Sequence, residues 1–114
     1  LVIEGAGGLM VPLNDNGDMI VDLIQHLEAD VILISQNYLG SINHTLLTIE
    51  ALQNRKIAVV GIVFSGDENK ATESIILSKT GVKCIGRIEQ EPYFDQNVLK
   101  EYADLFKKNL LELQ

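Results

Sequence analysis

The sequence predicts an α/β fold, with a mainly parallel sheet and helices on both of its faces. Apolar runs alternate with amphipathic segments along the chain, an order typical of strand–helix–strand crossover units. Two of these runs, VILIS at 31–35 and IAVVGIVF at 57–64, are apolar throughout. Such continuous apolar strands are typical of a parallel sheet that is covered on both faces.

The first half of the chain predicts two strands and two helices. Residues 1–3 (Leu-Val-Ile) predict the first strand, and a loop rich in Gly, Asn and Asp follows. Asp18 is expected to cap the first helix, which leads into the strand at 31–35. Ser41 is expected to cap the second helix, whose apolar stripe consists of Ile42, Leu46, Ile49 and Leu52.

The second half continues the same alternation. After the strand at 57–64, either Asp67 or Asn69 is expected to begin a third helix, and Gly81 is expected to end it. Residues 83–88 predict a short strand, and residues 96–113 predict an amphipathic last helix. No internal repeat or linker divides the chain, so we expect one domain.

Size and charge restrict the possible functions. The chain has 114 residues, enough for one modest domain, and a net charge of −7, which argues against nucleic acid or an anionic membrane as a partner. No apolar run approaches the roughly 18 residues that cross a membrane. Cys84 is the only cysteine, which fits a reducing cytoplasm, and its place in a predicted strand suggests a buried, inert thiol.

A carboxylate and three glycines follow the first apolar residues, in EGAGGLMVPL at 4–13. Glu4 would end a strand, where nucleotide-hydrolysing enzymes commonly place a Mg²⁺ ligand. Gly5, Gly7 and Gly8 would let the backbone approach a phosphate closely. A tight turn beside a solvated glutamate would have the same composition, so the segment alone leaves both interpretations open.

A second candidate segment is YLGSINHTLLT at 38–48, which joins a strand to the start of a helix. Free backbone N–H groups and the helix dipole favour an anion at such a place, and Ser41 and Asn43 add polar side chains. Ordinary helix capping would use the same residues. Sites in parallel sheets lie beyond the carboxyl ends of the strands, where EGAGGLMVPL, SQNYLGSINH and FSGDENK are all predicted.

Taken together, these stretches resemble the dethiobiotin synthetase family. The matching segments are VIEGAGGLMVPL, VILIS, LGSINHTLLTIEAL and GIVFSG, which follow the family's order over roughly the first two-thirds of the chain. EGAGG also occurs in related P-loop amidoligases, whereas LG-x-INH-x-LLT is much more specific.

The resemblance implies an enzyme of biotin biosynthesis that has a P-loop-type α/β fold and works as a homodimer. Such an enzyme uses ATP and Mg²⁺ to convert 7,8-diaminononanoate and CO₂ into dethiobiotin, ADP and phosphate. Carbon dioxide forms a carbamate on one amine, ATP phosphorylates the carbamate, and the second amine displaces phosphate as the ring closes.

The resemblance also implies roles for particular residues. Glu4 would be catalytic, as a Mg²⁺ ligand near the γ-phosphate. The ATP-binding residues would be Glu4, Gly5, Ala6, Gly7, Gly8 and Ser65, the last beside adenine. The substrate-binding residues would be Val11, Pro12, Leu13 and, reaching across the dimer, Leu39, Gly40, Ser41, Ile42 and Asn43.

The chain departs from the family pattern in three respects. The family commonly has Asn at the position of Ser65, and its Ile-Pro after the last strand is Ile88-Glu89 here. No G-x-x-x-x-G-K-[ST] phosphate loop occurs in the 114 residues. Apart from these departures, the chain opens inside an apolar segment without Met. We therefore expect residues 1–114 to be the C-terminal portion of a single P-loop-type domain, inactive by itself.

Two other functions share parts of this signature. A cobyrinic-acid-type amidoligase carries the same glycine-rich segment, but the SINH helix start argues against it. A non-catalytic partition-ATPase-like or regulatory module is the other alternative. A partition ATPase would normally carry Asp at the position of Glu4 and often a basic surface, whereas this chain is acidic.

Overall fold

Strands and helices alternate along the chain. A computed structural model describes residues 1–113. The elements are α1 (Ile20–His26), β1 (Val31–Gln36), α2 (Ser41–Asn54), β2 (Val59–Ser65), α3 (Lys70–Thr80), β3 (Cys84–Ile88) and α4 (Gln96–Glu112). The predicted α/β order is therefore confirmed from the first helix onward.

The three strands form one sheet in the order β1–β2–β3, and both neighbouring pairs are parallel. Leu33 pairs with Ile62, and Ile62 pairs with Cys84, so the three strands run side by side. Parallel strands bring their carboxyl ends to the same edge of the sheet. Gln36, Ser65 and Ile88 lie at that edge.

Helices cover both faces of the sheet. On one face, Ile62 and Phe64 of β2 are buried against Ile49 of α2 and Ile76 of α3. On the other face α4 packs against β3, where a Cβ added to Gly86 would lie 2.8 Å from a ring atom of Phe106. The glycine thus permits α4 to approach the strand closely.

Residues 1–3, predicted as a strand, are not one. Their side chains are at least 59% exposed, and they pair with no other described residue within 1–113. A strand is held by hydrogen bonds to a neighbouring strand, and the pairing in the described part is within β1–β3 except for an isolated bridge between Pro12 and Met19. This prediction was wrong for the structure.

Two predicted helix caps also differ. Met19, not Asp18, precedes the first residue of α1, and its N–H donates to Asp22 Oδ2 at 2.8 Å. The Asp18 carboxylate instead accepts a hydrogen bond from Asn14 at 2.7 Å. Gly40, not Ser41, occupies the cap position of α2 at φ +94°, a left-handed conformation that favours glycine.

The remaining boundaries agree closely with expectation. Asn69 caps α3, accepting the N–H of Thr72 at 3.1 Å, and Gly81 ends that helix at φ +70°. In α2, Ile49 and Leu52 are buried as predicted, but Ile42 is exposed. Ser41 and Thr45 take buried positions instead, because that side of α2 faces β1.

Cys84 is exposed, contrary to the prediction of a buried thiol. Its strand, β3, forms one edge of the described sheet, so its side chain is less covered than a residue of the central strand. Desolvation nevertheless raises the pKa of the thiol, which favours its protonated form. Within 1–113, none of the helices combines the length and the apolar character needed to cross a membrane.

Candidate functional site

An open cleft of about 480 Å³ lies at the carboxyl edge of the sheet. Its walls are the loop from β1 into α2 and the loop from β2 into α3. The lining residues are Asn37, Tyr38, Leu39, Gly40, Ser41, Ile42, Asp67, Glu68, Asn69 and Thr72. The cleft therefore has the position at which open α/β sheets bind their ligands.

The first turn of α2 forms one wall of the cleft. The N–H of Ser41 donates to the carbonyl of Tyr38 at 3.0 Å, and the N–H of His44 donates to Gly40 at 3.0 Å. Between these two, the amides of Ile42 and Asn43 have no carbonyl partner within the helix, as at any helix start. These groups and the helix dipole make this wall suitable for an anion.

Tyr38 and His44 are joined beside that wall. The Tyr38 hydroxyl lies 2.5 Å from His44 Nδ1, and the ring centroids are 5.6 Å apart. The pair fixes the exposed Tyr38 ring against the first turn of α2. His44 is therefore engaged in positioning the loop.

The second wall, from Ser65 to Asn69, is held by a partly buried polar cluster. The Glu73 carboxylate accepts hydrogen bonds from the backbone N–H of Asn69 at 3.0 Å and from the Asn37 amide at 3.1 Å. Arg87 binds the same carboxylate through two nitrogens, at 2.9 and 3.4 Å. We refer to Asn37, Glu73 and Arg87 as the Glu73 network.

The network reaches the loop itself through two backbone carbonyls. Asn37 donates to the carbonyl of Asp67 at 2.9 Å, and Arg87 donates to the carbonyl of Gly66 at 2.9 Å. Arg87 is also paired with Glu89 at 2.9 Å. The loop after β2 is therefore attached to residues at the ends of both neighbouring strands.

Electrostatics keep this network charged. Desolvation raises the pKa of the Glu73 carboxyl, but the hydrogen bonds from Arg87, Asn69 and Asn37 outweigh it, and the net pKa is below the usual value. The hydrogen bond to Glu73 raises the pKa of Arg87. The ion pair is thus fully formed at neutral pH.

Asn37 has one unsatisfied atom. Its Oδ1 is the only buried side-chain oxygen or nitrogen in residues 1–113 that has no hydrogen-bond partner. Both N–H groups of the same amide are used, to Asp67 and Glu73. Asn37 also lines the cleft, so its amide connects the cleft to the network.

The structure brings some of the sequence-predicted site residues together. Leu39, Gly40, Ser41 and Ile42 all line the cleft. Asn43 follows them in the first turn of α2 and is exposed. Ser65 ends β2, and its carbonyl accepts the N–H of Asn37 at 3.1 Å, beside the cleft.

The glycine-rich segment lies apart from the cleft. None of Glu4–Gly8 or Val11–Leu13 lines it, and Gly7 and Gly8 have positive φ angles of 81° and 106°. Leu9 packs with Val21 near the first residues of β1 and β2, at the other end of the sheet. The two candidate segments are therefore not joined within residues 1–113, and the predicted role of Glu4 stays a prediction.

A magnesium ligand set is not assembled by the described residues alone. No three His, Cys, Asp or Glu side chains within 1–113 come close enough together to hold a metal ion. Glu4 is a single exposed carboxylate. Magnesium at nucleotide sites is commonly held by one or two carboxylates together with substrate phosphates, so Glu4 fits such a role as one donor.

Sequence analysis missed the Glu73 network. Glu73 had a weak signal, because an acidic residue in the first turn of a helix suits the helix dipole. Arg87 had none. A charged residue near the end of an apolar strand shows no partner until the sheet places it beside α3.

Comparisons with known proteins agree with the fold and the motifs. A family model described as an AAA domain matches residues 1–98. The ATP-dependent dethiobiotin synthetase BioD of Christiangramia forsetii is 61% identical over 113 residues, which cover 99% of this chain and 54% of that protein. The protein of the same name from Cytophaga hutchinsonii is 52% identical over 103 residues, covering 90% of this chain and 50% of that protein.

The chain spans about half the length of these curated relatives. The resemblance to dethiobiotin synthetases is confirmed, and so is the P-loop NTPase-like α/β fold class. Because the family model matches most of its residues, this chain belongs to the AAA domain family.

Proposed function

We propose that this chain is the C-terminal portion of an ATP-dependent dethiobiotin synthase. The enzyme closes the ureido ring of dethiobiotin from 7,8-diaminononanoate, CO₂ and ATP. The observation that carries the proposal is the 61% identity to an enzyme of that name over almost the whole chain. The cleft supports it, because four residues of the specific LGSIN segment line its wall.

The start of α2 would bind the substrate carboxylate. The first-turn amides and the helix dipole supply partial positive charge without a lysine or arginine. The side chains of Leu39 and Ile42 are apolar and exposed at this wall, which suits the alkyl chain of the diamine acid. Asn43 adds a neutral donor for a carboxylate oxygen.

The nucleotide would lie against the end of β2. Ser65 stands where related enzymes use Asn for adenine, and its backbone is held by Asn37. Glu4 would help to hold Mg²⁺, whose role is to neutralise phosphate charge during transfer. Gly5, Ala6, Gly7 and Gly8 would allow the backbone to approach the phosphates, and Val11, Pro12 and Leu13 would line the diamine.

Two subunits would share each site. The cleft and the glycine-rich segment are not joined within residues 1–113, which suits a homodimer in which α2 of one subunit faces Glu4 of its partner. The acidic composition and single cysteine support a cytoplasmic enzyme without a nucleic-acid or membrane partner. The 114 residues alone contain no phosphate loop, so we expect them to be inactive by themselves.

The test uses the complete enzyme. It is incubated with 7,8-diaminononanoate, ATP, Mg²⁺ and bicarbonate as the CO₂ source, and dethiobiotin and ADP are quantified by mass spectrometry. We expect both products in equal amounts. Glu4→Gln should lower kcat on the order of a hundredfold or more, because it removes a charge near the transferring phosphoryl group.

Glu50→Gln, at an exposed position of α2, serves as the matched control and should leave the rate unchanged. ADP formation without dethiobiotin would contradict the proposed reaction. Normal turnover of Glu4→Gln at saturating Mg²⁺ would contradict only the role of Glu4.

A further inference from the structure

The Glu73 network connects the ends of all three strands through one carboxylate. Asn37 follows β1, Arg87 is the penultimate residue of β3, and Glu73 stands in the first turn after the loop that ends β2. The side chains of Arg87 and Glu73 are only 17% and 14% exposed. The network is therefore a largely buried bridge across the carboxyl edge.

The Glu73 network is hydrogen-bonded to the loop after β2 at two neighbouring residues. Arg87 holds the carbonyl of Gly66, and Asn37 holds the carbonyl of Asp67. Gly66 has a φ of +88°, so the backbone turns sharply between the two attachment points. A loop with this turn and little apolar burial of its own depends on such polar contacts for a single conformation.

Neither Glu73 nor Arg87 lines the cleft, whereas Asp67, Glu68 and Asn69 do. The pair therefore acts on the cleft through the residues that it holds, which are the loop after β2 and the Asn37 amide. Arg87 suits this task because its planar group donates to Glu73 and to the Gly66 carbonyl together, in directions that one lysine ammonium could not reproduce.

We propose that Asn37, Glu73 and Arg87 are positioning residues that fix the loop from Ser65 to Asn69 and thereby set the enzyme's affinity for the nucleotide. The inference rests on the proposed function, in which Ser65 lies beside the base. The diamine site at the start of α2 is attached to β1 separately, through Ser35 and Thr45, and should respond much less.

The test measures the complete enzyme with Arg87→Met, Arg87→Lys and Glu73→Gln. Arg87→Met should raise KM for ATP roughly tenfold, with kcat and KM for the diamine changed less than twofold. Calorimetric titration with ADP should show a similar loss of affinity. Arg87→Lys should fall between wild type and Arg87→Met, because one ammonium cannot reach Glu73, the Gly66 carbonyl and Glu89 together.

Combining Arg87→Met with Glu73→Gln should raise KM for ATP little beyond either single change, since both disrupt one network. Arg55→Met is the matched control. It removes a half-buried arginine that donates to the Ala51 carbonyl at the far end of α2, and it should leave KM for ATP unchanged.

The outcomes separate this inference from the proposed function. Wild-type enzyme that makes no dethiobiotin contradicts the proposed function itself. Active wild type with an unchanged KM for ATP in Arg87→Met overturns the inference alone. An equal rise of KM for ATP and diamine, or an equal effect of Arg55→Met, would show a general loss of structure and would overturn it too.

Discussion

The hydroxyl groups of Ser35 and Thr45 lie 2.8 Å apart and form a buried hydrogen bond between β1 and α2. The two residues are only 3% and 7% exposed. The two residues are ten positions apart in sequence, and the segment between them contains Leu39–Asn43. The hydrogen bond therefore fixes the first turns of α2 beside the end of β1, and with them one wall of the cleft.

Thr45→Val should lower the free energy of unfolding of the complete enzyme by about 1–3 kcal/mol. The substitution keeps the shape but leaves the Ser35 hydroxyl buried without a partner, and an unsatisfied buried polar group costs that amount. Urea unfolding followed by circular dichroism measures it.

The double variant Ser35→Ala/Thr45→Val supplies the control. It removes both polar groups, so it should be more stable than the Thr45→Val single variant. The Ser35→Ala and Thr45→Val single variants each lower the free energy of unfolding by some amount. If the double variant lowered it by the sum of those two amounts, the two hydroxyls would not be coupled.

The strands and helices that could be predicted well are those with a local signal. β1 and β2 follow from continuous apolar runs, and α3 follows from Asn69 and Gly81 at its ends. Residues 1–3 failed because an apolar triplet becomes a strand only beside a partner strand, which is a non-local condition. Ser41 failed as a cap because the left-handed Gly40 takes the cap position and Ser41 is already the first residue of the helix.

The Glu73 carboxylate should make the enzyme's stability depend on pH in the acid range. Its pKa is lowered in the folded state, so its contribution is fully present above its ordinary value of 4.5 and is lost as pH falls through the folded value. Wild type should therefore be more stable than Glu73→Gln at pH 7, and the difference should shrink below about pH 4.

Urea unfolding at a series of pH values measures this difference. Glu68→Gln, an exposed carboxylate in the neighbouring loop, is the control and should give no such convergence. A constant difference between wild type and Glu73→Gln from pH 7 to pH 3 would contradict the assignment of the ion pair.

The candidate site shows the same division between local and non-local signals. Leu39–Ile42 could be placed at the cleft because a strand-to-helix turn is visible in sequence. Arg87 could not, because its partners Gly66 and Glu73 are 21 and 14 residues away. Long-range charge pairing has no periodic pattern, so only the folded sheet shows it.

Ser65 should make the enzyme a weak discriminator among nucleoside triphosphates. A hydroxyl donates and accepts through one oxygen on a freely rotating bond, whereas an Asn amide presents a donor and an acceptor on separate atoms in fixed positions. We expect kcat/KM for ATP to exceed that for CTP or GTP by less than about a hundredfold, or 2.7 kcal/mol.

Ser65→Asn should increase that preference, and Ser74→Asn on the exposed surface of α3 should not. The comparison is made at saturating diamine, so that only nucleotide selection is measured. A wild-type preference far above a hundredfold would mean that groups other than Ser65 read the base.

Asn43→Ala should weaken binding of the diamine acid and leave the nucleotide unaffected. The Asn43 side chain stands in the first turn of α2, where a donor to a charged acceptor contributes about 1.5–3 kcal/mol. We expect KM for the diamine to rise tenfold or more, from steady-state rates at saturating ATP. Asn54→Ala, at the last residue of the same helix, should leave it unchanged.

Mixing the Asn43→Ala and Glu4→Gln variants tests whether Asn43 acts on the partner's site. If Asn43 of one subunit serves the site that contains Glu4 of the other, a heterodimer of Asn43→Ala and Glu4→Gln subunits has both lesions in one site and an intact second site. Activity at low diamine concentration should then partly return on subunit exchange. If each site used Asn43 and Glu4 of the same subunit, every site would carry one lesion. Heterodimers that form, as shown by native mass spectrometry, and stay inactive would therefore rule out the shared site.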